Sequence, residues 1–126
     1  MENLIIEGTE KTPFITCDAG IGKIVISGIS IPNVATPIYE PVFDWITLYA
    51  RSPQPLTRII FNFVHFDSDS SKCVFDLMRL IQEELHNKGN RVEMEWHYED
   101  EDVMELGEDY MSLLNYPVKL VEEYLE

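Results

Sequence analysis

The sequence predicts an α/β domain, a mixed sheet of four or five strands with helices packed against it. Three observations carry that expectation. Residues 4–29 hold three short β-prone runs separated by turn residues, as in a meander. Residues 57–66 form the most hydrophobic run in the chain, as a central strand would. Residues 92–98 alternate strictly between apolar and polar, and the helical segment before them gives 57–98 the length of a right-handed parallel strand–helix–strand unit. At 126 residues, 45% hydrophobic and 11% aromatic, the chain has enough apolar material for one core. With no repeat, low-complexity tract or linker, 1–126 reads as one domain.

The elements follow in order. Leu4-Ile5-Ile6 is a short first strand. Thr12–Asp18 and Lys23–Ile29 are two more, joined by Ala19-Gly20-Ile21-Gly22, where glycines can take positive φ. Thr36-Pro37 and Glu40-Pro41 each offer a helix start, because proline is tolerated in the first turn. Tyr39, Val42, Phe43, Ile46 and Tyr49 then mark one helical face that ends near Arg51-Ser52-Pro53. The run TRIIFNFVHF at 57–66 lacks clean alternation, which predicts a strand buried on both faces. Val74, Leu77, Ile81 and Leu85 line the next helix, stopped at Lys88-Gly89-Asn90. In 92–98, Val92, Met94, Trp96 and Tyr98 point one way and Glu93, Glu95 and His97 the other. Val103, Leu106, Tyr110 and Leu113 define a last helix, and the tail from Tyr116 to Leu125 fits either a strand or a short helix.

Charge removes several function classes. Acids outnumber bases 23 to 9, for a net charge of −14. Nucleic-acid affinity rests on Lys and Arg displacing counterions, so no nucleic-acid partner is expected, and an anionic membrane surface is disfavoured for the same reason. No apolar run approaches the roughly 18 residues of a spanning helix, and Met1-Glu2-Asn3 does not open an export signal. The expectation is a soluble cytoplasmic protein. Fourteen of the acids lie in residues 83–126, densest at 99–109. That stretch reads as a solvated helix start, where acids suit the positive end of the dipole, and secondarily as a surface for a basic partner.

Enzyme motifs fail. Gly20-Ile21-Gly22-Lys23 lacks the loop length of a phosphate cradle, and neither HExxH nor CxxC occurs. His65, His86 and His97 are far apart, and Cys17 and Cys73 read as small buried side chains. No cofactor, metal ligand or catalytic set is expected.

The informative segment is Phe66-Asp67-Ser68-Asp69-Ser70-Ser71, where the buried strand gives way to a helix and α/β sheets gather their ligand chemistry. It supports three readings. Asp67 and Asp69 could be nucleophile and acid of a minimal Mg²⁺-dependent aspartyl-phosphate phosphatase or phosphotransferase, but no later metal-binding acidic pair follows. A calcium loop fails because Lys72 stands where glycine is needed and Met78 where a bidentate glutamate is needed. The residues could simply cap the helix. Or a hydroxyl here could be phosphorylated, adding roughly −1.5 to −2 charges that act on whatever docks over the corner.

The chain resembles the SiaC-family regulatory phosphoproteins, partner-switching proteins whose fold is similar to the STAS domains of anti-sigma-factor antagonists. The resemblance lies in Gly8-Thr9 with Thr12-Pro13, Asp18 before the glycine turn, and Ile26-Ser27-Gly28-Ile29-Ser30-Ile31-Pro32. It continues through Tyr39-Glu40-Pro41-Val42, Asp44-Trp45-Ile46, Tyr49, the hydrophobic strand with its hydroxyl-rich turn and Lys72, and Met94-Glu95-Trp96-His97-Tyr98. It implies a STAS-like fold and a non-enzymatic switch in cyclic di-GMP signalling and biofilm regulation. A histidine-kinase-like Ser/Thr protein kinase would phosphorylate the turn and a PP2C-type phosphatase would reverse it. The unphosphorylated form would bind and activate a diguanylate cyclase or similar output protein. By position the acceptor is Ser68, and a two-residue shift would select Ser70 instead. The docking rim would comprise Asp67, Asp69, Ser70 and Lys72 around it.

Overall fold

A computed structural model describes residues 1–123 of the chain. The opening meander is β1 (Leu4–Ile6), β2 (Phe14–Asp18) and β3 (Lys23–Ser30), paired antiparallel. Three crossovers follow: α1 (Thr36–Tyr49) to β4 (Leu56–Phe66), α2 (Ser68–Glu84) to β5 (Arg91–Tyr98), and α3 (Glu101–Leu114) to β6 (Lys119–Glu122). Each new strand pairs parallel with the one before it, so the sheet order is β1-β2-β3-β4-β5-β6. The tail is thus a strand, making six rather than four or five; Leu125 lies outside the described residues.

Because every crossover advances the sheet in the same direction and such crossovers are right-handed, the three helices share one face. The buried rows run straight across the sheet beneath them: Ile15–Ile26–Phe61–Trp96 and Cys17–Ile24–Ile59–Met94. No described helix covers the opposite face. β4 is therefore covered on one side only, contrary to the two-sided burial its composition predicts: Thr57, Ile59, Phe61 and Phe63 are fully buried, and Arg58, Ile60, Asn62 and Val64 are half-exposed. On that open face Arg58 donates to Glu95 at 2.6 Å, and this hydrogen bond holds the Glu95 carboxyl below its usual range.

The irregular hydrophobicity of β4 has another cause. Its register against β3 shifts between Gly28, paired with Phe63, and Ile29, paired with His65, leaving Val64 as an extra residue. Gly28 sits at φ +100, a conformation that favours glycine. The bulge reverses the strand's phase, so Phe63 and Phe66 both turn inward, their rings 5.0 Å apart, and His65 turns outward.

α1 starts at Thr36 and runs through Pro41, which lies on its exposed side, so the helix does not restart there. In α3 the inward face is Val103, Gly107, Tyr110 and Leu114; Leu113, expected inward, is 71% exposed. The cause is Trp96, fully buried between Phe61, Phe63, Phe66 and Tyr110, whose indole Nε1 donates to the Val103 carbonyl at 2.8 Å. The helix meets that ring through Gly107, where an added Cβ would lie 2.4 Å from Trp96 Cδ1.

Gly107→Ala gains helix propensity yet forces the indole aside, so it should lower stability by about 1–3 kcal/mol in denaturant unfolding. An unchanged midpoint would mean that α3 is not seated on Trp96.

Candidate functional site

The hydroxyl-rich turn lies at the carboxyl end of β4, and the structure assigns each of its residues a different task. Asp67, in extended conformation, is the N-cap of α2: its Oδ1 accepts from the Ser70 amide at 2.8 Å and its carbonyl from the Ser71 amide at 2.9 Å. Asp69 reaches sideways, and its Oδ2 accepts from the Ala35 amide at 2.7 Å, tying α2 to the segment that opens α1. Both carboxylates are thus committed to backbone amides, a cap and a loop anchor.

Ser70, expected on the docking rim and as an alternative acceptor, faces inward instead and is fully buried. Its Oγ lies 2.7 Å from Ser30 Oγ and donates to the Ser30 carbonyl at 3.0 Å; Ser30 Oγ in turn lies 2.7 Å from the Tyr39 hydroxyl. The same Ser30 carbonyl accepts from the Asp67 amide at 3.0 Å. Burial raises the Tyr39 phenol above its usual range, which keeps it a neutral hydroxyl in this chain of three. The third position of a helix faces the core when the first faces solvent, which is why Ser68 and Ser70 differ.

Ser68 is the first residue of α2 and is exposed, and its hydroxyl makes no hydrogen bond among the described residues. Lys72 is exposed one turn further along, at the i,i+4 position from Ser68. Ser71 ties this turn to α3: the Tyr110 hydroxyl donates to the Ser71 carbonyl and pairs with Ser71 Oγ, both at 2.7 Å. Burial pushes the Tyr110 phenol up to about 12.

Ser68 opens onto a cleft of about 390 Å³ between the starts of α2 and α3. Val64, Phe66, Val103 and Leu106 supply its apolar part, and Asp67, Asp100 and Asp102 are its acids. Asp100 is also the N-cap of α3, accepting from the Val103 amide at 2.9 Å. The acidic stretch at 99–109 is therefore a capped helix start, and its first residues form the wall facing Ser68. His65, turned out by the bulge, completes the rim. Among the described residues no three His, Cys, Asp or Glu side chains are grouped to hold a metal ion.

Reading the sequence missed Ser30, Tyr39, Ser71 and Tyr110 as the residues that hold the turn. Ser30 did leave a trace: it continues the inward phase of Ile24 and Ile26, and a polar residue at such a position needs a buried partner.

A family model described as SiaC family regulatory phosphoprotein matches residues 6–123. An uncharacterized protein of Pseudomonas aeruginosa (strain UCBPP-PA14) is 29% identical over 119 residues, covering 93% of this chain and 94% of its own length. The crystal structure of apo-SiaC from Pseudomonas aeruginosa superimposes with a TM-score of 0.87 at 27% identity, covering 96% of this chain and 99% of that one. The crystal structure of the diguanylate cyclase SiaD in complex with its activator SiaC, from the same organism, contains a similar chain. It has a TM-score of 0.87 at 27% identity, covering 95% of this chain and 99% of that one.

The two serines should separate cleanly in thermal unfolding. Ser70→Ala leaves the Ser30 hydroxyl and carbonyl short of a partner inside the protein and should cost about 1–3 kcal/mol. Ser68→Ala should stay within about 0.5 kcal/mol of the parent. Equal losses would contradict the division of labour in the turn.

Proposed function

The chain belongs to the SiaC family of regulatory phosphoproteins, and on that premise we propose that it is a non-enzymatic partner switch whose acceptor is Ser68. The observation that carries this reading is the contrast within one turn. Ser68 has the free, exposed hydroxyl, whereas Ser70 is enclosed by Ser30 and Tyr39. A kinase must bring the γ-phosphoryl group into line with an accessible oxygen, and the turn offers Ser68 for that. A kinase of the histidine-kinase-like Ser/Thr type would add the phosphate and a PP2C-type phosphatase would remove it.

In its unphosphorylated form the protein would bind and activate a diguanylate cyclase in the cytoplasm. Support comes from the likeness, at 27% identity over nearly the whole chain, to the SiaC seen with diguanylate cyclase SiaD. No described helix is long and apolar enough to cross a membrane. The docking surface would be the rim of the Ser68 cleft, with Asp67, Asp69 and Lys72 around it. Ser70 would act beneath this rim, holding it in shape. Phosphate here would place a hydrated dianion where the partner must come into contact, and contact with an unpaired charge opposes burial.

Ser68→Asp should weaken binding to the cognate diguanylate cyclase by about tenfold or more, a loss of ~1.4 kcal/mol, while Ser68→Ala stays within about threefold of the parent. Calorimetry or a pull-down with purified cyclase reads this directly. Equal binding by the two variants would remove Ser68 from the mechanism.

A further inference from the structure

The two regions that stand out in the sequence, the hydroxyl-rich turn and the acidic stretch, are facing walls of one cleft. We propose, resting on Ser68 as the acceptor, that its phosphorylation acts within the chain by repelling the first turn of α3, which loosens while the rest of that helix stays docked.

The charges set the sign. Before modification the cleft already holds Asp67, Asp100 and Asp102. Phosphate adds roughly −1.5 to −2 charges. The acceptor and these acids line one cleft, on the scale of the Debye length of ~8 Å at physiological ionic strength, so salt only partly screens the repulsion. Glu99 and Glu101 flank Asp100 and add to it. His65 is on the rim and Lys72 lies one turn along α2 from the acceptor; neither belongs to the α3 wall.

The two walls are unequally held. The start of α2 is fixed from below by the Asp67 amide and Ser70 Oγ on the Ser30 carbonyl, and from the side by Asp69 on Ala35. The start of α3 is held by its own cap, the Val103 amide on Asp100 Oδ1 at 2.9 Å and the Met104 amide on the Asp100 carbonyl at 3.2 Å, and by the inward Val103, whose carbonyl accepts from Trp96 Nε1 at 2.8 Å. Asp100, Glu101 and Asp102 are all exposed. Beyond this turn the helix is anchored again, by Gly107 against the Trp96 indole and by Tyr110 on Ser71. Repulsion therefore acts on the exposed Asp100, Glu101 and Asp102 and on the cap they form, between a clamped wall and a docked helix body. A partner on this corner would meet an altered α3 start as well as the phosphate.

The test uses phosphoserine encoded genetically at position 68 in the full chain, with amide hydrogen exchange followed by NMR. A parallel pair carries Asp100→Asn and Asp102→Asn; Asn caps a helix about as well as Asp, so fold and cap are kept while the charge goes. Phosphoserine should speed exchange at Val103 and Met104 by about fivefold or more in the parent and by less than about twofold in the Asn pair. The Ser70 and Ser71 amides should hold within about twofold in both, and the effect should shrink in about 1 M salt, where the Debye length is ~3 Å. Unchanged exchange at Val103 and Met104, or an equal rise with and without the aspartates, would overturn the proposal. The phosphate is installed directly, so this outcome is independent of which residue the cellular kinase modifies.

Discussion

The functional corner depends on one buried residue, Ser30. It closes β3 at the strand's carboxyl end, facing the core, and its two polar groups tie β3 to α1 and to the start of α2. Its carbonyl uses both lone pairs, on the Asp67 amide and Ser70 Oγ, and its hydroxyl bridges Ser70 to Tyr39 of α1. In a water-excluded site each unmet partner costs ~1–3 kcal/mol, so a fully satisfied network of this kind permits one arrangement and penalises its neighbours. The start of α2 is thereby fixed in rotation as well as position. A helix fixed in rotation has a fixed outside, and the residue on the outside is Ser68. The accessibility of that single hydroxyl is a consequence of the burial of three others.

One-sided layering follows from the same economy of connection. Right-handed crossovers that always advance in one direction put α1, α2 and α3 on one face, and so gather the starts of α2 and α3 at the carboxyl ends of β4 and β5. Adjacent helix starts on one edge enclose a cleft, and helix starts attract acids as caps. Asp67 and Asp100 are both there for that local reason. Their joint effect is not local: two caps and Asp102 concentrate negative charge around one exposed hydroxyl. A surface arranged this way is poised so that one further dianion matters.

Much of this was legible in sequence. The meander, the alternation in β5 and the inward face of α2 each follow from short-range rules, and the structure keeps them; α2 itself ends earlier than expected, at Glu84, and Gly89, at φ +94, closes the 3-10 turn His86–Lys88 that follows. The misses share a different origin, since each depends on a contact distant in sequence. The Val64 bulge requires β3 as a partner, and without it the run at 61–66 looks like two-sided burial. The phase of α3 is set by Trp96 meeting Gly107, which no helical periodicity of α3 alone reveals. β6 exists because β5 offers an edge to pair with. In the turn, composition marks four candidate polar residues equally; only the Ser30–Tyr39 network, formed from residues 40 and 31 positions before Ser70, divides them into cap, anchor, buried strut and free hydroxyl.

The most direct measurement is phosphosite mapping by mass spectrometry. The protein would be taken from its native cells with phosphatases inhibited, and again after incubation with its cognate kinase. The account predicts a single phosphate on Ser68 with Ser70 unmodified. A phosphate on Ser70, or a chain that the kinase leaves unmodified at Ser68, would contradict it.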